Sequence, residues 1–247
     1  MSVKALHLSI FFSISISITS LAYANDILFV ETFDYPDGDL PEMFWSEGCE
    51  ALIKEGKLFI DADTSAYRAS TIWLDKIFTE DISVEFDVRV VSSKYKANNI
   101  NFFLMYSDPS GENLRTTSKM RESGQYSYYH KLNGYIFTNV TIPSQGNNLK
   151  TRYRFRDNPG FEIIDETFTY GEIRDNVTFQ IKILKVGNNF QFWIDGEKII
   201  DAVDDNFNPV HNSGLIAFRT WRTALWIDNL VVKRIENKIE SKSFGIG

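Results

Sequence analysis

Cysteine is almost missing from this chain, and its scarcity removes two kinds of chemistry. Cys49 stands alone among 247 residues, so no internal disulfide can form and a zinc cluster of cysteines and histidines is excluded. Stability has to come from a hydrophobic core. Histidine is nearly as scarce: of three, only His130 and His211 lie beyond the first 24 residues. No apolar run after that leader reaches the roughly 18 to 20 residues that a membrane-spanning helix needs. Positive charge is also in deficit, with 26 Lys and Arg against 33 Asp and Glu for a net charge of −7, which argues against nucleic acid as a partner. Internal repeats, low-complexity segments and a domain-splitting linker are absent as well.

The N-terminus opens with Lys4, continues through the apolar Ile10-Phe11-Phe12-Ser13-Ile14 and reaches Ala22-Tyr23-Ala24, small residues of the kind that precede a cleavage site. This pattern predicts a signal peptide over residues 1–24 and an exported protein, periplasmic or released to the medium. No cysteine follows the expected cut to carry a lipid. Residues 25–236 are expected to form one domain and 237–247 a short tail.

Strand patterns dominate that domain. Ile82-Ser-Val-Glu-Phe-Asp-Val-Arg-Val90 alternates apolar and polar residues strictly, and Val177 to Leu184 repeats the alternation, as half-buried strands require. Gly187-Asn188-Asn189 separates the second strand from Phe190–Ile194, and Asp195-Gly196 turns that segment into Lys198–Ala202, a three-strand meander. Gly214–Thr220 and Ala224–Val232 close the chain. Short strands at this spacing, an aromatic content of 15% and little helical periodicity predict an all-β, antiparallel sandwich.

Two segments carry candidate chemistry. In an extended Arg152-Tyr-Arg154-Phe-Arg156 the three guanidiniums share one face. They repel one another unless something negative lies across them, and their planar donor forks match carboxylates and sulfates. The plainer alternative is an exposed strand face paired with neighbouring acids. Upstream, Tyr126-Ser-Tyr128-Tyr129-His130-Lys-Leu-Asn133-Gly134-Tyr135 concentrates hydroxyls and an imidazole. Asn133-Gly134 is a strong type I′ hairpin signal, which would set Tyr128, His130, Leu132, Tyr135 and Phe137 on one face. A continuous strand would keep Tyr126, Tyr128 and His130 together and move Tyr135 to the opposite side.

The order Glu31-Thr-Phe-Asp34, the strand Ile82 to Val90, Asn133-Gly-Tyr135, the run Arg152 to Gly160, the meander Phe190 to Gly196 and the closing Trp226-Ile-Asp-Asn-Leu-Val-Val232 together resemble the concanavalin-A-like jelly-roll proteins of bacterial polysaccharide-utilisation clusters. The segments Tyr129–Tyr135 and Arg152–Phe161 resemble more narrowly a subgroup associated with breakdown of rhamnose- and uronate-containing polysaccharides such as ulvan and rhamnogalacturonan. The resemblance implies a jelly-roll sandwich, a sheet face that holds an acidic oligosaccharide, no required cofactor and elimination chemistry on a uronate. Similar sandwiches often hold a structural Ca²⁺ where the terminal strands meet, for which Asp34, Asp37 and Asp228 could supply oxygen.

Glycoside hydrolysis needs two carboxylates near the scissile bond. Glu85-Phe-Asp87 begins such a pattern but no further acid follows it, so hydrolysis ranks third. Elimination asks for groups that neutralise the uronate, a base for the C5 proton and an acid for the oxygen leaving C4. Arg152, Arg154, Arg156, Asn99 and Asn133 are candidates for the first task, His130 for the second, and Tyr128 or Tyr135 for the third. Jelly-roll lyases resemble this choice of residue types, although their Gln-x-His pair is absent here. A glycosidic leaving oxygen would make a polysaccharide lyase and a free hydroxyl a dehydratase. Arg219 and Trp221 share a face of an extended strand and suit a charged sugar, the indole by stacking. The main rival is a non-catalytic carbohydrate-binding module that uses the same arginines and aromatics.

Overall fold

A computed structural model of the chain describes residues 26–79, 81–143, 149–170, 173–206 and 209–235. The expected signal peptide and C-terminal tail lie outside the described residues. Seven strands come first: β1 (Ile27–Glu31), β2 (Phe44–Gly48), β3 (Ala51–Lys54), β4 (Lys57–Asp61), β5 (Ala69–Thr79), β6 (Ile82–Ser92) and β7 (Ile100–Ser107). An excursion with two short 3₁₀ helices, Ser118–Arg121 and Tyr126–Lys131, leads to β8 (Asn133–Pro143), β9 (Leu149–Asn158) and β10 (Glu162–Tyr170). The meander follows as β11 (Thr178–Val186), β12 (Asn189–Ile194) and β13 (Glu197–Val203), and β14 (Ser213–Trp221) and β15 (Ala224–Arg234) complete the fold.

The strands form two antiparallel sheets, ordered β13-β12-β11-β6-β15-β4-β3 with β1 also on β15, and β10-β9-β8-β7-β14-β5-β2. This is the jelly-roll sandwich that the alternating patterns predict. β6 shows the logic: Val84, Phe86, Val88 and Val90 are buried between the sheets, while Glu85, Asp87 and Arg89 turn outward because successive side chains take opposite faces. Phe102, Phe137, Phe155, Phe192 and Phe218 meet them from the other strands in one continuous core.

Part of the seven-stranded sheet is buried on both faces. Trp45, Trp73, Phe103, Ile136, Leu215 and Ala217 point outward and are covered by Leu114, Tyr129 and Leu132 of the excursion, making a second core. Glu47 on β2 anchors that cover. Its carboxylate is 2% exposed and meets the Arg121 guanidinium at 2.8 Å. The Tyr129 hydroxyl donates to it at 2.9 Å and the Trp73 indole N–H at 3.1 Å. Burial pushes the Glu47 carboxyl above its usual range, against the opposing pull of Arg121.

The expected Asn133-Gly134 hairpin does not form. Tyr126–Lys131 is a 3₁₀ helix, β8 begins at Asn133, and Gly134 pairs with Asn158 inside the β8–β9 ladder. The glycine is there for close approach: at φ +132°, a Cβ would sit 2.5 Å from Cδ2 of Tyr106. Only a residue without a side chain lets β8 pass under that ring.

Replacing Glu47 by Leu leaves Arg121 buried and unpaired, an expected loss of about 3–5 kcal/mol in chemical denaturation. The Glu47→Leu/Arg121→Met double variant is expected to recover the part that comes from the orphaned charge, while the Trp73 N–H and Tyr129 hydroxyl that Glu47 accepted from stay unpaired.

Candidate functional site

Beyond the excursion, the outer face of the seven-stranded sheet stays open as a cleft of about 330 Å³, lined by Asn99, Asn101, Tyr126, Thr138, Val140, Arg152, Arg154, Arg156, Phe161, Arg219 and Trp221. Strand alternation puts the arginines there. On β9, Tyr153 and Phe155 enter the main core, so Arg152, Arg154 and Arg156 project outward. Register then carries a row across the sheet: Arg154 pairs with Thr138, Thr138 with Asn101 and Asn101 with Arg219. Six residues proposed from sequence (Asn99, Arg152, Arg154, Arg156, Arg219 and Trp221) thus meet in one place, though they come from three separate parts of the chain.

The cleft is cationic and short of counter-charge. Glu166 on β10 pairs with Arg154, and among the described residues no carboxylate forms a salt bridge with Arg152, Arg156 or Arg219. Arg156 and Arg219 are 4% and 2% exposed. The Nε atoms of Arg152, Arg156 and Arg219 are buried without a hydrogen-bond partner among the described residues. Burial lowers the pKa of Arg152, with the charge of Arg154 adding to it. Burial also holds Arg156 down to about 10 and lowers Arg219. All three remain cations at neutral pH, so the site pays a desolvation cost that an anionic ligand would offset.

Aromatic rings hold the guanidiniums in place. Arg219 lies over the Tyr126 ring, 4.2 Å from its centroid, and donates to the Gly124 carbonyl at 3.0 Å. Arg156 lies over Phe161 at 4.1 Å. Phe161 adopts a left-handed backbone, φ +64°, an uncommon state for a bulky side chain, secured by its N–H donating to the Asn158 Oδ1 at 3.0 Å. Its ring stacks on His130 with centroids 3.7 Å apart, and Gly160 N–H donates to the His130 carbonyl at 3.0 Å. The Tyr126 ring meets the imidazole edge-on at 4.9 Å.

His130 therefore backs the aromatic wall of the cleft and does not line it. Its Nε2 is buried without a partner among the described residues. Burial, followed by the charges of Arg219 and Arg156, lowers its pKa to about 4, so it is a neutral imidazole at physiological pH.

Three sequence-based assignments need correction. Tyr128 is 39% exposed and away from the cleft, because a 3₁₀ helix eclipses residues three apart and so turns Tyr126 and Tyr129, not Tyr128, toward the sheet. Tyr135 lies in the main core on the other side of its sheet, where its hydroxyl donates to Asp204 at 2.7 Å and accepts from the His211 N–H at 3.1 Å. Asn133 sits at the start of β8, where its amide donates to Ser107 at 3.3 Å, and it does not line the cleft. The residues that sequence reasoning missed are Asn101, Thr138, Val140 and Phe161, together with the cleft position of Tyr126. Period-two spacing from Asn99 would have found Asn101. No local pattern marks Phe161.

Glu85 and Asp87 lie on the other sheet, facing away from the arginines. Glu85 is held by Lys182 at 3.2 Å and Lys233 at 3.3 Å, and Asp87 accepts from Asn229 at 2.8 Å. Asp37 accepts from the Glu55 N–H at 2.7 Å and Asp228 pairs with Lys57 at 2.8 Å. Among the described residues no three His, Cys, Asp or Glu side chains are grouped to hold a metal ion, and no helix is long and apolar enough to cross a membrane.

Residues 65–230 match the profile of a family described as Domain of unknown function (DUF6250). No curated protein matches the chain. Among solved structures, a protein of unknown function with a galectin-like fold from Bacillus subtilis is 16% identical, with a TM-score of 0.67 over 87% of this chain and 100% of that one. The carbohydrate-binding module CBM66 from Bacillus subtilis is 15% identical, with a TM-score of 0.51 over 79% and 99%. An endo-β-1,3-glucanase from Pyrococcus furiosus is 9% identical, with a TM-score of 0.54 over 86% and 95%. At these identities the likeness establishes the fold alone.

The His130 environment has a measurable consequence. Its folded pKa of about 4 lies below the unfolded value of about 6.5, so the unfolded chain takes up the proton first as pH falls. The contribution of neutral His130 is present in full above pH 6.5 and is lost as pH drops toward 4. Urea midpoints measured from pH 7 to 4 are expected to fall more steeply for the wild type than for His130→Phe, which keeps the stack on Phe161 but does not titrate.

Proposed function

The chain belongs to the DUF6250 family, and we propose that it is an exported carbohydrate-active protein that holds the acidic group of an oligosaccharide in its arginine cleft. One observation carries this reading: Arg152, Arg156 and Arg219 converge on one cleft with buried Nε donors that find no acceptor among the described residues. The exposed Trp221 indole at the same cleft offers a stacking surface for a sugar ring. The names of two structural neighbours, a carbohydrate-binding module and a glucanase, favour a saccharide as the bearer of the acid.

On a uronate the same arrangement supports elimination across C4–C5, with ulvan-type oligosaccharides the favoured substrates. Guanidiniums around the carboxylate stabilise the charge that develops when the C5 proton leaves. That proton passes to a base, the electron pair forms the C4–C5 double bond, and the C4–O bond breaks as its oxygen takes a proton. Tyr126, whose hydroxyl lies 3.4 Å from that of Thr138, replaces Tyr128 and Tyr135 as the tyrosine placed to move a proton in the cleft. Neutral His130, packed against Tyr126, is the imidazole nearest to that work. The second reading is a non-catalytic binding module, favoured by the position of His130 behind the cleft wall.

Incubation with saturated uronate-terminated oligosaccharides, followed by ultraviolet absorbance and mass spectrometry, separates the two. New absorbance is expected from elimination, with loss of one water mass naming a dehydratase and chain shortening a lyase. Binding without new absorbance would establish the module. If elimination occurs, Tyr126→Phe and His130→Gln are expected to lower turnover by about 10²–10⁴-fold if each acts in proton transfer. On either reading, Arg156→Met is expected to weaken binding about 10–100-fold through loss of a charge-assisted hydrogen bond. Unaltered binding by Arg156→Met would overturn the anion assignment.

A further inference from the structure

Asn101 has hydrogen-bonding capacity that an anion cannot use. Its side chain is 2% exposed and lines the cleft between Thr138 and Arg219 in the transverse row. The orientation of its amide follows from a short relay. The Asn99 Nδ2 donates to the Asn139 carbonyl at 3.1 Å, which leaves the Asn99 Oδ1 as an acceptor. The Asn101 Nδ2 donates to that oxygen at 2.7 Å. The remaining atom, Asn101 Oδ1, is an acceptor and is buried without a partner among the described residues.

A buried acceptor left unmade costs on the order of 1–3 kcal/mol, and folded proteins keep few of them. Here the orphan shares its cleft with the three orphaned Nε donors. A carboxylate or sulfate satisfies guanidiniums but has no proton to give Asn101 at neutral pH. A sugar hydroxyl does. Asn101 and Arg219 are register partners on adjacent strands, which lie about 4.8 Å apart, so an anion and a hydroxyl on the same ring could reach both.

Resting on the anionic-sugar reading above, we infer that Asn101 is a specificity-determining residue that accepts a hydrogen bond from a free hydroxyl on the acid-bearing ring. The cleft thereby selects uronates with an unsubstituted hydroxyl over simple anions and over rings whose hydroxyls are all capped.

The test compares methyl glucuronoside with two carboxylates that lack a hydroxyl donor, tetrahydropyran-2-carboxylate and the per-O-methylated glucuronoside, by NMR titration of the full chain. The wild type is expected to bind the free glucuronoside about five- to tenfold more tightly than either, the worth of about one hydrogen bond. Asn101→Leu is expected to bring that ratio to near one, and Asn101→Asp, which keeps an acceptor oxygen, to hold it above one. Equal wild-type affinities for the three acids, or a preference that survives in Asn101→Leu, would overturn the role of Asn101 while leaving the anion site standing. If none of the acids shifts wild-type resonances at millimolar concentration, the anionic-sugar reading fails and this inference with it. Should the leucine variant not fold, Asn101→Ala takes its place in the comparison, and equal wild-type affinities for the three acids still overturn the inference.

Discussion

The contact between Glu47 and Arg121 governs how the rest of this molecule is arranged, because it ties the excursion between β7 and β8 to the far edge of the seven-stranded sheet. A buried ion pair of this kind is a poor source of net stability, since desolvating two charges offsets most of their attraction. Its value here is geometric. The carboxylate accepts from Arg121, Trp73 and Tyr129 together, which sets where the 3₁₀ helices lie over the sheet. That placement brings Tyr126 over Arg219 and His130 against Phe161. Without the cover, the outward-facing Trp45, Trp73 and Phe103 would form an exposed apolar patch of the sort that soluble domains avoid.

The cleft is the part of the same face that the excursion leaves open. A single transverse row of residue pairs, Glu47–Thr71–Arg219–Asn101–Thr138–Arg154–Glu166, runs from β2 to β10. Carboxylates stand at both ends of this row and the polar cleft lies in its middle. Glu47 is consumed by Arg121 and Glu166 by Arg154, which leaves Arg219 and its neighbours Arg152 and Arg156 without a counter-ion among the described residues. Aromatic faces under Arg156 and Arg219 stabilise the cations while leaving buried Nε donors without a partner among the described residues, an arrangement suited to receiving charge from outside.

Much of the architecture was legible in the chain. Strict alternation in Ile82–Val90 placed its valines in the core and Glu85 and Asp87 outside, and alternation across Arg152–Arg156 placed three guanidiniums on one face. The tyrosine segment misled because Asn-Gly carries the strongest hairpin signal, while the true demand on Gly134 comes from the Tyr106 ring, far away in sequence. Once Tyr126–Lys131 became a 3₁₀ helix, period three replaced period two, so Tyr126 entered the cleft and Tyr128 left it. Tyr135 followed the face parity of β8 into the main core.

By itself the sequence determined the sandwich class, the strands and the sidedness of the arginine row, because alternation is a local property that each strand carries within a few residues. Which strands became neighbours was decided only in the tertiary structure. Asn101, Thr138, Arg154 and Arg219 share a row through long-range register, and Phe161 and His130 meet because two separate turns are held together over the sheet. Those pairings depend on how distant apolar faces pack, and no window of sequence contains them.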